Sequence, residues 1–236
     1  MSGVARLHLL PLASAAAAAE ARGLDWLSET ERHRFLTIAA PERRASFLAG
    51  HWQARWLAAQ WLQLDVQRIA LDAQANGRPL LRVDGEVAPL HVSLSHSGDW
   101  LALALADAPV GVDVELPRRE RDWEALARFV FSHEEQQRVR DAAGPARAAV
   151  FHTLWALKEA HGKRQGVGLQ PRAARAVSAR PTAEGGRAEA LAWAFGKGAL
   201  ALAMAPGTRL QDPGGALGTP TRWCYADTAA GATDRD

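Results

Sequence analysis

The chain has 236 residues, 48% of them hydrophobic, enough to bury a substantial core without disulfide or metal staples. No apolar run approaches the roughly 20 residues of a bilayer-crossing helix, and the single cysteine, Cys224, excludes an internal disulfide framework or multi-cysteine zinc cluster and suits a reducing cytoplasm. A formal net charge of +2 gives no ground for general nucleic-acid binding.

Met1 to Ala21 has an early arginine, an apolar middle and an alanine-rich end, the outline of a secretory signal. Val4 to Leu10 also reads as a strand, and Pro11 to Leu27 as an Ala-rich helix running on into patterned sequence. That second reading is adopted. Ser28-Glu29-Thr30-Glu31 has the S-x-x-E form that opens a helix, and a second helix spans about Pro41 to Leu64. Asn76-Gly77-Arg78-Pro79 is a turn. His91 to Ser95 alternates as a strand, Ser97-Gly98 turns, and Trp100 to Ala106 returns, giving a hairpin before the strand Val110 to Leu116. Helices are predicted at about Asp122 to Val130, Ser132 to Ala142 and Pro145 to Arg164. A second hairpin follows over Ala190 to Ala205, turning on Gly196-Lys197-Gly198, and then a Gly/Pro-rich loop from Pro206 to Pro220.

Leu27-Ser28-Glu29-Thr30-Glu31 is echoed 104 residues later by Phe131-Ser132-His133-Glu134-Glu135, and Phe47 by Phe151 at the same offset. An internal duplication would make an α+β fold of two pseudo-symmetric lobes, each a small antiparallel sheet packed with helices, with a ligand cleft between them. The lobes are assigned to residues 1–107 and 108–227, the second carrying the metal motifs, and 228–236 reads as a disordered tail.

Three segments carry chemistry. In Gly111-Val112-Asp113-Val114-Glu115 the alternation of a strand sends Asp113 and Glu115 to one face and the valines to the other. Two acids about 7 Å apart along a strand can converge on a hard cation, and equally fit a half-solvated edge strand. In Trp155-Ala156-Leu157-Lys158-Glu159-Ala160-His161-Gly162-Lys163, Glu159 and Lys163 share a helical stripe with Lys158 beside it. An ordinary Glu-to-Lys helix pair would look the same. Yet only three of the 28 lysines and arginines are lysine, and two of those three fall in this segment. A compact ammonium at such places serves chemistry that a broad guanidinium would not, and a carboxylate beside two ammonium groups suits a metal-bound diphosphate. In Ser93-Leu94-Ser95-His96-Ser97-Gly98 the G-x-S-x-G of a hydrolase elbow is missing; hydroxyls, imidazole and turn amides can hold a phosphate, or simply form a polar hairpin tip.

Together, Gly77-Arg78-Pro79, Ser95-His96-Ser97, Gly111-Val112-Asp113-Val114-Glu115 and Trp155-Ala156-Leu157-Lys158-Glu159 with Lys163 resemble the 4′-phosphopantetheinyl transferases. The closer resemblance is to the longer, monomeric, two-lobed type named after the surfactin-synthetase activating enzyme, and it runs from about Arg44 through Leu169. It implies a cytoplasmic, monomeric enzyme that moves the phosphopantetheine arm of coenzyme A to a serine of an apo acyl or peptidyl carrier protein. The other product would be adenosine 3′,5′-bisphosphate, with Mg²⁺ required and neither nucleic acid nor membrane as partner. By motif position, Asp113, Glu115 and Glu159 would hold the metal, and Glu159 would also be the base for the carrier serine. Lys158 and Lys163 would steady the diphosphate, while Arg78, Ser95 and His96 would meet the coenzyme's phosphates. Arg44, in an R-x-x-F pattern with Phe47, would hold the 3′-phosphate, with Arg43 and Arg55 as rivals. Glu135 matches an acid near the family's site and also the N3 place of a helix cap on Ser132; the cap is preferred. Two other functions remain open on these residues: an Mg²⁺-dependent nuclease or phosphohydrolase, and a non-catalytic carrier-binding module.

Overall fold

The computed structural model describes residues 3–117, 122–183, 185–211 and 217–228. All but the first residue of the anticipated 228–236 tail, and part of the anticipated 206–220 loop, lie outside them.

The chain opens with β1 (Val4–Pro11), α1 (Leu12–Glu20), α2 (Glu29–Thr37) and α3 (Pro41–Leu62). It continues through β2 (Ile69–Ala73), β3 (Pro79–Val83), β4 (Glu86–Val87), β5 (His91–Ser97), β6 (Trp100–Ala106) and β7 (Gly111–Glu115). Helices α4 (Trp123–Val130), α5 (His133–Asp141), α6 (Pro145–Gln165) and α7 (Pro171–Arg175) precede β8 (Val177–Pro181), β9 (Ala190–Phe195) and β10 (Gly198–Ala203). The short β11 (Arg209–Gln211) and β12 (Thr221–Asp227) close the order.

The repeat suggested by the echo is carried by helices. α2 and α5 each begin on a reciprocal capping box: Ser28 with Glu31, and Ser132 with Glu135. α3 and α6 start at Pro41 and Pro145, where a missing N–H costs nothing. Two sheets carry the lobes, in the orders β11-β1-β6-β5 and β7-β10-β9-β12-β8, with a small β2-β3-β4 sheet beside the first. Among the described residues all pairing is antiparallel except β1 with β11, so a strand that follows the second sheet's hairpin completes the first sheet. The halves are thereby interleaved as well as similar.

Alternation along β7 decides what meets what. Val112 and Val114 share a buried cluster with Leu7, Ala104, Leu200 and Leu202, a core common to the two larger sheets. The other face, with Ala199 and Ala201 opposite Glu115 and Asp113, is covered by Leu157 and Ala160 of α6. Helix and strand meet at Gly111, where a Cβ would stand 2.0 Å from the Ala160 carbonyl oxygen and 2.5 Å from the Arg164 nitrogen. Only glycine lets α6 lie that close.

β5 and β7 are edge strands of different sheets. Serine hydroxyls join them. The Val112 N–H donates to Ser93 Oγ at 3.0 Å and the Leu116 N–H to Ser97 Oγ at 3.0 Å. Between these two links Ser95 Oγ donates to Asp113 Oδ1 at 2.7 Å.

Candidate functional site

The face of β7 under α6 presents Asp113 and Glu115, and α6 sets Glu159 and Lys163 against them. Lys163 Nζ donates to Asp113 Oδ1 at 2.8 Å and to the Val112 carbonyl at 3.1 Å. Asp113 Oδ2 is buried and has no hydrogen-bond partner. The Glu159 carboxyl is pushed above its ordinary range by burial first, then by the negative charges of Asp113 and Glu115, with Lys163 opposing. Three carboxylates therefore strain against one another with a single ammonium among them.

Such a set favours a hard divalent cation, which takes oxygen ligands and offsets the repulsion. The orphaned Asp113 Oδ2 is an oxygen such an ion would use. Among the described residues no three histidine, cysteine or acidic side chains are drawn together as a ready-made metal cage. Mg²⁺ does not demand one, because it keeps several waters and usually takes one or two carboxylates plus substrate phosphates. The residues present fit that ion.

Lys163 also lines a cleft of ≈ 330 Å³ between the lobes, walled by Arg34, His51, Asn76 and Arg78 on one side and by Lys163, Gly166 and Gly168 on the other. The Asn76 side-chain amide donates to the Gly166 carbonyl at 2.9 Å, tying the turn before β3 to the end of α6. Arg78 Nη2 is buried without a partner. A second cavity of ≈ 780 Å³ shares Arg34, His51 and Leu94 with the first and adds Arg43, Ser46, Ser95 and His96. The two are compartments of one trough with cationic walls.

The structure brings together most, not all, of the residues singled out in the sequence. Asp113, Glu115, Glu159 and Lys163 meet, and Arg78, Ser95 and His96 line the adjoining trough. Lys158 does not. Its Nζ is buried on the Glu135 carboxylate at 2.8 Å, on the Ala174 carbonyl at 2.7 Å and on the Val177 carbonyl. One residue along a helix is a turn of about 100°, so Lys158 faces α5 and β8 while Glu159 and Lys163 face β7. Burial lowers its pKa, against the opposing pull of Glu135. Glu135 is the cap: it accepts from Ser132 N–H at 2.8 Å and from Ala179 N–H at 2.7 Å. Arg44 is also turned away, donating to the Ile38 carbonyl at 2.6 Å with its guanidinium 5.4 Å from the Phe35 ring. Arg43, its neighbour in sequence, lines the trough instead, and Arg55 is buried on Glu31. Sequence reasoning passed over Arg34 of α2 and His51 of α3, neither of which belongs to a motif that points to a ligand. It also missed the linking role of Ser93 and Ser97, whose signal was the alternation S-x-S-x-S itself.

Residues 109–203 match the family model described as the 4′-phosphopantetheinyl transferase superfamily. The chain is 36% identical over 139 residues to the 4′-phosphopantetheinyl transferase psf-1 of Bacillus pumilus, covering 59% of this chain and 55% of that one. It is 37% identical over 134 residues to the 4′-phosphopantetheinyl transferase AcpT of Salmonella typhimurium, covering 56% and 65%. With the 4′-phosphopantetheinyl transferase HetI of a Nostoc species the match is longer, 28% over 171 residues and 72% of each chain. A solved structure, the holo-[acyl-carrier-protein] synthase of Helicobacter pylori in complex with coenzyme A, overlays with a TM-score of 0.34 at 14% identity. That overlay covers 43% of this chain and 97% of that one, and is too slight to argue from.

Proposed function

We propose that the chain, which matches the 4′-phosphopantetheinyl transferase superfamily over residues 109–203 and is 36% identical to psf-1 over 139 residues, transfers the phosphopantetheine arm of coenzyme A to a serine of an apo carrier protein. Adenosine 3′,5′-bisphosphate would leave. The observation that carries the reading is Lys163, which lines a trough walled by arginines and donates to Asp113, whose charge with that of Glu115 acts on Glu159. That is where a diphosphate with a hard cation would be held, while the trough accommodates a longer phosphorylated ligand.

Asp113, through its free Oδ2, with Glu115 and Glu159 would hold Mg²⁺, which when bound supplies charge stabilisation at the diphosphate oxygens. The chain's own part is positioning and proton handling. Ser95 and Lys163 fix the Asp113 carboxylate from two sides. Lys163 faces the cleft, where its ammonium sits beside the diphosphate, and Arg78 offers an unpartnered nitrogen to a phosphate oxygen. Glu159 is the carboxylate proposed as the base. It takes the proton of the carrier serine hydroxyl as that oxygen bonds to the phosphorus bearing the pantetheine arm. The bond from that phosphorus to the nucleotide's bridging oxygen breaks. Lys158 is assigned no part in these steps.

A nuclease or phosphohydrolase would use similar acids to activate water, but the long arginine-walled trough fits a fixed small ligand better than a nucleic-acid backbone. The deciding experiment is mass spectrometry of a panel of apo carrier proteins incubated with coenzyme A and Mg²⁺. A phosphopantetheine mass gain that vanishes on chelation, and with Asp113→Asn, is expected. Unmodified carriers throughout, with hydrolysis of a nucleic-acid substrate, would overturn the reading.

A further inference from the structure

His51 stands on α3 where the two compartments of the trough meet, lining both. Its ring stacks on Phe47 at 3.7 Å, and its Nδ1 lies 2.7 Å from Glu31 Oε1. Glu31 is itself pinned by the capping box and by the buried Arg55. An ionised Glu31 can only accept, so Nδ1 carries the hydrogen and Nε2 is the nitrogen left for a ligand.

The pseudo-repeat shows what this imidazole adds. At the 104-residue offset Phe47 and His51 correspond to Phe151 and Trp155, which also stack, at 5.7 Å. In the second lobe the capping glutamate, Glu135, is neutralised by Lys158 alone. A tryptophan thus meets the packing requirement at this place. Histidine supplies in addition a nitrogen that faces the trough and a carboxylate behind it to stabilise a positive charge.

We propose that His51 is a ligand-binding residue of the trough that takes a proton from solvent at Nε2 when a phosphate-bearing ligand settles beside Arg34. The inference rests on the coenzyme reading above. In the free protein burial lowers the pKa of His51, Glu31 opposes this, and Arg34 and Arg55 add to it. Across the cavities the charged groups facing it are Arg43, Arg78, Lys163, His96 and Asp72. The free trough is therefore predominantly cationic, and burial followed by the nearby Arg34 and Arg55 disfavours the imidazolium of His51 there. A phosphate dianion placed there reverses the local field and favours the imidazolium, whose second proton Glu31 already anchors.

The test is calorimetry of coenzyme A with the whole protein and Mg²⁺, in pairs of buffers of unlike ionisation enthalpy, between pH 6 and 8. Wild type is compared with His51→Gln, which keeps a donor for Glu31, and His51→Phe, which keeps the stack. The 3′-phosphate of the ligand titrates near pH 6, and it contributes to all three proteins. Wild type is expected to take up a larger fraction of a proton than either variant. Its Kd should rise several-fold more steeply from pH 6 to 8. Equal proton uptake and equal pH slopes in the three proteins would overturn the role of His51 while leaving the coenzyme reading intact. No binding by wild type would overturn both.

Discussion

The two lysines of one helix segment have opposite fates, and they can be separated by measurement. Lys163 is partly exposed and holds Asp113 at the trough, so Lys163→Met should cut transfer by about 10²-fold or more and lower the unfolding midpoint less than loss of the fully buried Lys158 does. Lys158 neutralises a glutamate that is fully buried, and Lys158→Met should cost about 3–5 kcal/mol of stability while the folded fraction keeps its activity. Urea unfolding beside activity per folded molecule distinguishes them; a stable but inactive Lys158→Met would restore that residue to the site. Glu31 gives a pH effect with a definite sign. Burial alone would raise its pKa, but hydrogen bonds from His51 and Arg55 prevail and bring it down from 4.5 to about 2. Its contribution to stability is complete above pH 4.5 and is lost as pH falls toward about 2. Glu31→Gln retains the capping pattern and should flatten that part of the curve; urea midpoints at pH 5 and pH 3 are the measurement.

At the scale of elements, chemistry depends on how closely a helix lies on a strand. Gly111→Ala would drive a methyl into the backbone of Ala160 and Arg164, neither of which can rotate aside. α6 must then lift from β7, carrying Glu159 and Lys163 away from Asp113. A displacement near 1 Å costs on the order of 10²-fold in rate, and overpacking costs about 1–3 kcal/mol. The variant should therefore lose activity well beyond its loss of stability, as transfer assays on the folded fraction would show; near-normal turnover would mean the helix is not fixed by that contact. These elements were the most legible part of the sequence. Capping boxes, first-turn prolines and period-two alternation located α2, α3, α5, α6 and the two long hairpins. Strand alternation also put Asp113 and Glu115 on the correct face. The misses share a cause. β2, β3 and β8 carry little alternation, β11 has three residues and exists by pairing with β1, and β12 takes its place from β8 and β9. Lys158 and Glu159 are adjacent in sequence, but the helix turns them about 100° apart onto different neighbours, and nothing local says which of the two faces lies at the site.

Across the whole molecule the trough exists only because two similar halves are joined at a few places. The serines of β5 link the edge of one sheet to β7 of the other, and the Asn76 amide reaches the Gly166 carbonyl across the opening. The residues lining the trough come from both halves: Arg34, His51 and Arg78 from the first, Lys163 and Gly166 from the second. A ligand that spans the trough must restrain both walls at once, because each end contacts a different lobe. Coenzyme A with Mg²⁺ should therefore slow amide exchange together at residues 76–78, at 94–97 and at 163–168, beyond the uniform slowing that ligand binding gives to amides exchanging through global unfolding. Asn76→Ala removes a link without removing a cationic residue. It should raise exchange of the free protein at both the 76–78 turn and the end of α6, yet leave ligand protection at 94–97. Protection confined to one lobe in the wild-type protein would place the ligand elsewhere, and the shared trough would then be a seam between halves instead of a binding site.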